Sequence, residues 1–413
     1  MKALMKYRCW LFFAVVFTLP MYMRLNNGLL LIFILVSLFD IIFISKKISL
    51  KNLLVNGWPI VGFFMLSAMA AFHNGDVNNF RYLETHWSLL FVPLVMLSEK
   101  NFYAKIRRTT FISLVWGCLA ALAICYLNLI MKIISEGESL QNWFAWHHMG
   151  HDFTFITDAH PTYLGLFVVT SILFLIQDKK FPQVSKYILL IIFLFGLFQL
   201  ASKMAILLLV LFFLYLAINN IRQYKQQLIL LIFGILFSAF VFWTFGNQYM
   251  KSRMFSVDEI LDEKRIDRWE VSYQIFKENP FYGAGFEKIK GIRKEKYLHG
   301  DYSLAAANDL NAHNQFLEYL SVNGAVGGFV YAISLGFLFL LSIYRRDHLF
   351  TFIFFAFALA NLTESMMVRI MGVEYFAIFA SLFLCSKGSD CANNRQSIRR
   401  DDIMLSAKKM DKI

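Results

Sequence analysis

Residues 317–343 read LEYLSVNGAVGGFVYAISLGFLFLLSI. Glu318 is the only ionised side chain in this run, which exceeds the roughly 20 apolar residues that a helix needs to cross a bilayer. Runs of the same kind recur at approximately 9–23, 27–45, 53–72, 87–98, 110–133, 160–177, 186–200, 202–219, 227–246, 348–366 and 369–386. The fourth is short, and the seventh and eighth are almost continuous across Ala201-Ser202-Lys203. Composition agrees with this reading. Hydrophobic residues make up 58% of the 413 and charged residues 16%, with a mean hydropathy of +0.54. Soluble domains carry about 45–50% apolar and about 25% charged residues. A soluble enzyme, a disordered chain and a fibrous repeat are excluded. The expected fold is all-α, a polytopic integral membrane protein of about 12 transmembrane helices.

The net charge of +12 does not point to nucleic acid, because the cations sit in short clusters between apolar runs. With the N-terminus in the cytoplasm, alternate loops on that side carry Lys2, Lys6 and Arg8, then Lys46, Lys47 and Lys51, then Lys100, Lys105, Arg107 and Arg108. Later cytoplasmic segments and the basic tail from Lys387 continue the series. Short loops on the other side carry only Arg24, Arg81, Lys132, Lys203 and Arg369. This asymmetry obeys the positive-inside rule. It places a long loop, 247–316, and a second one near 134–159 outside the cytoplasm. The expected organisation is nine helices over 1–246, a periplasmic loop with an amphipathic helix over 247–316, three helices over 317–386 and a cytoplasmic tail over 387–413. The first span has no small-x-small cleavage signal after it and reads as an uncleaved helix. The five cysteines show no paired spacing, so neither a disulfide framework nor a zinc site is expected.

The long loop contains DEKRIDRWEVSYQIFK, residues 262–277. Ile266, Trp269, Tyr273 and Phe276 recur at helical spacing and predict an amphipathic helix. Lys264, Arg265 and Arg268 share a face. Three cations beside a membrane suit a diphosphate, since arginine offers planar bidentate donors to phosphate oxygens. A solvated helix with Glu263, Asp267 and Glu270 as partners fits the same pattern. At the mouth of the 317–343 run stands His313-Asn314, and Gly324, Gly327 and Gly328 follow inside it. A histidine there can take a proton from a hydroxyl near neutral pH, or act as a plain polar cap. Lys203 lies between apolar runs, where a cation normally needs a partner or a role. Arg81 can pair with Glu84 or Asp76, or bind a ligand. His147, His148 and His151 are loosely spaced for a metal. No phosphate-binding glycine loop and no metalloprotease motif occurs, so no cofactor and no metal is expected.

The segment 313–327 fits a pattern of His, then Asn, Ser or Gln, nine residues, Gly, two residues, and Gly, Thr or Tyr. Here these are His313, Asn314, Gly324 and Gly327. It resembles the O-antigen ligase family, which shares a superfamily with O-antigen and other surface-polysaccharide polymerases. Arg268-Trp269, followed by Pro280 and Gly283-Ala284-Gly285, agrees with it, as does one large periplasmic loop between helices 9 and 10. The resemblance implies glycosyl transfer from an undecaprenyl-diphosphate-linked glycan to a sugar of lipid A-core, without nucleotide or metal, at the periplasmic face of the bacterial inner membrane. It implies that His313 is the general base and that Arg268 holds the diphosphate, with Lys203, Arg265 and Arg81 as further cations. Lys203 stands where relatives carry arginine, which keeps the charge but loses the fork. His160-Pro161-Thr162-Tyr163 also looks like a family motif, with no assigned role. A polymerase of the same superfamily differs only in its acceptor. A transporter is a separate reading, in which Lys203 and Glu364 line a path.

Overall fold

A computed structural model describes residues 2–45, 48–73, 77–216, 264–300 and 302–386, with a few isolated positions between 229 and 244. Most of the expected ninth span, the loop before residue 264 and the basic tail lie outside the described residues.

The described residues are helical. They form α1 (Lys2–Thr18), α2 (Met23–Phe39, extended by a π turn to Ile44), α3 (Leu50–Asn56), α4 (Trp58–Ala71), a 3-10 segment (Val77–His86), α5 (Ser88–Ser98) and α6 (Lys100–Ser135). After a loop with the single turn α7 (His151–Thr154) come α8 (Pro161–Gln177), α9 (Gln183–Gln199) and α10 (Lys203–Leu216). The C-terminal part holds α11 (Lys264–Glu278), α12 (Gly285–His299), α13 (Ser303–Ala307), α14 (Gln315–Tyr344), α15 (His348–Thr363) and α16 (Ile370–Cys385).

Most apolar runs became helices, but not uniform ones. Among the described residues, three helices are long and apolar enough to cross a membrane alone, Met23–Ile44, Lys100–Ser135 and Gln315–Tyr344, and up to five if each bent pair is one span. The run at 53–72 is such a pair, bent by 91° between α3 and α4. The reason lies at Gly57 and Pro59, where proline opens a new helix at its first turn. The near-continuous run at 186–219 is divided where the sequence placed the boundary. Ala201 takes a left-handed conformation and the Ser202 hydroxyl accepts from Ala205 N, which caps α10.

α8 and α16 are buried on nearly every side, as expected for a helix apolar all round. They meet through Phe167 stacked on Tyr375 and a 2.7 Å hydrogen bond between Thr170 and Tyr375. α4, α5 and α6 pack around α16. One end of the bundle is tied by ion pairs. Arg107 makes a bidentate pair with Asp347 at 2.6 and 2.8 Å, Arg108 meets Asp178 at 2.8 Å, and Arg8 is buried between Asp40 and Glu99. α8 runs from His160 to that end, and α15 runs away from it toward Glu364. The opposite end therefore collects His160, His313, Glu364 and Arg369.

Candidate active site

The backbone around His313 is built by its own polar neighbours. His313 adopts φ 45°, a left-handed conformation that non-glycine residues hold only when the surroundings impose it. Its N–H donates to Asn311 Oδ1 at 3.0 Å. Asn314 Oδ1 accepts from Phe316 N and Leu317 N at 3.0 and 3.2 Å, capping α14 and satisfying two of its otherwise unpaired donors. Gln315 is buried and its Oε1 accepts from Met367 N at 2.7 Å. The α14 start is thus clamped to the turn after α15.

That turn carries Glu364, whose carboxylate lies 3.2 Å from His313 Nδ1. The contact is close without the alignment of a hydrogen bond. Burial pushes the Glu364 carboxyl up, but His313, His160 and Arg265 together outweigh it and hold the group below the usual glutamate range. Three groups hold the turn: Gln315, His86 at 3.2 Å from Met367 O, and the Tyr163 hydroxyl donating to Ser365 O at 3.3 Å. Tyr163 belongs to the motif at 160–163 that had no role in the sequence. His160 Nδ1 accepts from Thr162 N at 3.3 Å, so it caps α8 and starts the helix that delivers Tyr163.

The loop helix forms, but its buried face differs from the expected one. Arg268, Val271, Ser272 and Ile275 are buried, whereas Ile266 and Tyr273 are about half exposed. α11 packs on α12 and α14, and that tertiary contact, rather than the most apolar stripe, selects the inner face. Burial lowers the Arg268 guanidinium from its ordinary value, opposed by Tyr297 and reinforced by Arg265. The charges of Arg265 and Arg268 both act on Glu364. The structure therefore brings Arg265, Arg268, Glu364 and His313 into one electrostatic neighbourhood. Trp269 contributes an Nε1–H that is buried with no hydrogen-bond acceptor among the described residues.

Gly324 lets α14 and the turn after α11 interlock. Its φ is 65°, and a Cβ there would stand 2.4 Å from Phe281 O. Gly283, with φ 71°, faces Val322 O at the same 2.4 Å. Backbone groups exchange across this contact, Ala284 N to Ser321 O at 3.0 Å and Ala325 N to Pro280 O at 2.7 Å. Of Gly324, Gly327 and Gly328, only Gly324 meets the loop turn. Gly327 instead lies against its own helix, at Asn323 and Tyr319. A buried pair unseen in the sequence completes the frame. Arg293 of α12 donates to Glu318 at 3.0 Å and to Ser321 at 3.2 Å, and Glu318 also accepts from Ala312 N.

Two further sequence candidates have other neighbours. Arg81 is exposed and lies over the ring of Tyr82 at 5.2 Å. Lys203 opens α10 next to Ser202, which packs on Gly165 of α8. It is at the His160 end of the bundle. The metal reading changes membership. Glu138, His147 and His148 bring ligand atoms within 4.8 Å of one another, while His151 instead meets His160, ring to ring, at 4.3 Å.

Residues 188–332 match the family model described as O-antigen ligase. This segment is similar to an O-antigen ligase domain. That match supports a place in the O-antigen ligase and polymerase superfamily. The matched segment includes α11, α12, His313 and the kink at Gly324. Glu364 and Tyr163 lie outside it. No curated protein matches the chain.

Proposed function

We propose that this protein transfers a glycan from an undecaprenyl-diphosphate donor to a sugar hydroxyl of lipid A-core, at the periplasmic face of the bacterial inner membrane. The observation that carries the reading is the His313–Glu364 pair beside Arg265 and Arg268, within a chain that has a segment similar to an O-antigen ligase domain. Glu364 faces Nδ1, which leaves Nε2 as the nitrogen turned to act as the base. Nε2 takes the proton of the acceptor hydroxyl as its oxygen attacks the anomeric carbon. The bond from that carbon to the diphosphate oxygen breaks, and the electron pair leaves on the diphosphate. Arg268 and Arg265 hold the charge that develops there, with Lys203 as a further cation at the same end of the bundle. A single displacement inverts the anomeric centre. Neither nucleotide nor metal has a part in these steps.

The test is His313→Ala in a null strain, read on the surface glycolipid ladder. Loss of attached O-chains with normal membrane insertion is expected, and full attachment would overturn the reading. The polymerase of the same superfamily uses the same chemistry with a second polyprenyl-linked unit as acceptor. The null strain separates the two. Long lipid-linked polymer without attachment marks a ligase, and attached chains of a single repeat mark a polymerase.

A further inference from the structure

A cavity of about 650 Å³ lies between α2, α5, α8 and α16, within the range of about 300–1,000 Å³ typical of small-molecule sites. No residue of α11 or α12 lines it. Its mouth carries Glu84, Asp158, His160 and Arg369, and its floor carries Glu374. His160 lies within electrostatic reach of both Glu364 and His313, so the mouth adjoins the transfer site. Leu31 forms one wall and is 58% exposed on the outside of the bundle.

Its lining does not suit a diphosphate. Glu84 and Asp158 outnumber the one arginine at the mouth, and an anion entering there meets repulsion and desolvation together. Sugar hydroxyls meet the opposite situation, because each donates a proton to a waiting oxygen. Glu374 is only 1% exposed, and its Oε2 has no hydrogen-bond partner among the described residues. With the Asn27 amide turned, its nitrogen donates to Glu374 Oε1 at 3.0 Å, which leaves Oε2 as the open position. A buried polar atom without a partner is costly, and a ligand hydroxyl would satisfy it. Trp87 adds an aromatic wall of the kind that combines apolar contact with polar surroundings.

We infer that this cavity binds the acceptor, seating the terminal sugar of its glycan on Glu374, Asp158 and Glu84 while its lipid lies toward Leu31. The inference rests on the proposed transfer reaction. The two cation-bearing and carboxylate-bearing sides then divide the substrates, with the donor diphosphate at α11 and the acceptor polyol in the cavity.

The experiment uses full-length protein in nanodiscs, with polyprenyl-diphosphate O-repeat and core glycolipid, both extracted from the null strain. Glu374→Gln combined with Asp158→Asn should raise the KM for the core glycolipid about tenfold, as expected for one or two lost hydrogen bonds to hydroxyls. The donor KM should stay within twofold. Leu31→Trp, on an exposed wall where folding is not at stake, should raise the same KM by narrowing the entry. A rise in donor KM alone would assign the cavity to the donor and overturn the inference. No change in either KM in Leu31→Trp and in the double variant would leave ordinary membrane lipid as the occupant and also overturn it. His313→Ala, run in parallel, keeps the two readings apart. If it is inactive while the cavity variants are silent, only the acceptor assignment fails. If it is fully active, the transfer reaction itself fails.

Discussion

Nδ1 of His313 and the carboxylate of Glu364 stand 3.2 Å apart although α14 and α15 separate them in the chain. The pair gives the imidazole an orientation and a counter-charge, which a lone interfacial histidine would lack.

Glu364→Gln keeps the size of the side chain and removes the charge. Transfer should fall by about 10²–10⁴-fold, mostly in kcat, because the amide no longer stabilises the imidazolium that forms. Steady-state kinetics of purified protein would measure it, and a change confined to KM would contradict the assigned role.

Gly324→Ala places a methyl 2.4 Å from a carbonyl oxygen at a φ of 65°. The expected loss is about 1–3 kcal/mol or more, with the loop turn displaced. Gly291, with nothing within 4 Å of an added Cβ, is the internal control. There alanine should be neutral or stabilise α12 by about 0.5–1 kcal/mol. Thermal unfolding in detergent compares the two, and equal effects would show that the contact with Phe281 is unimportant.

Arg293 and Glu318 are both buried. Glu318→Ala leaves the guanidinium of Arg293 and the Ala312 N–H without that acceptor. A loss of about 3–5 kcal/mol is expected for one partner of a buried pair. The double replacement by apolar residues should recover much of it, which a double-mutant cycle reads directly.

Burial pushes His86 and His160 down to about 4 from the ordinary value near 6.5. The folded protein thus holds both neutral, and as pH falls below about 6.5 the unfolded chain takes up protons first. Stability should be full above that pH, decline toward pH 4 and level off below it. His86→Gln, which still has an N–H for Met367 O, should flatten the decline. An unfolding midpoint that does not vary between pH 7 and pH 4.5 would refute the linkage.

The sequence made the apolar runs, the loop helix and the His313–Gly327 motif legible, because each is a local pattern of polarity or spacing. Glu364 was visible only as an acidic residue near the end of a span, and it was set on a transport path. Its proximity to His313 depends on Gln315, Tyr163 and His86 converging on one turn, and no spacing in the chain encodes that convergence. Arg293 escaped attention for the same reason. The inner face of α11 was misjudged because Ile266 and Tyr273 are more hydrophobic than Ser272, yet packing against α12 and α14 buries Ser272 and Arg268.

By itself, then, the order of residues determined that this is a helical chain with several apolar helices, as fits a membrane protein, since hydropathy and charge act over single helices. Which carboxylate meets which imidazole, and which cavity opens beside them, was decided only by the tertiary structure. Those relations arise where several helix ends meet, and the energy that sets them comes from packing and buried polar contacts between distant segments.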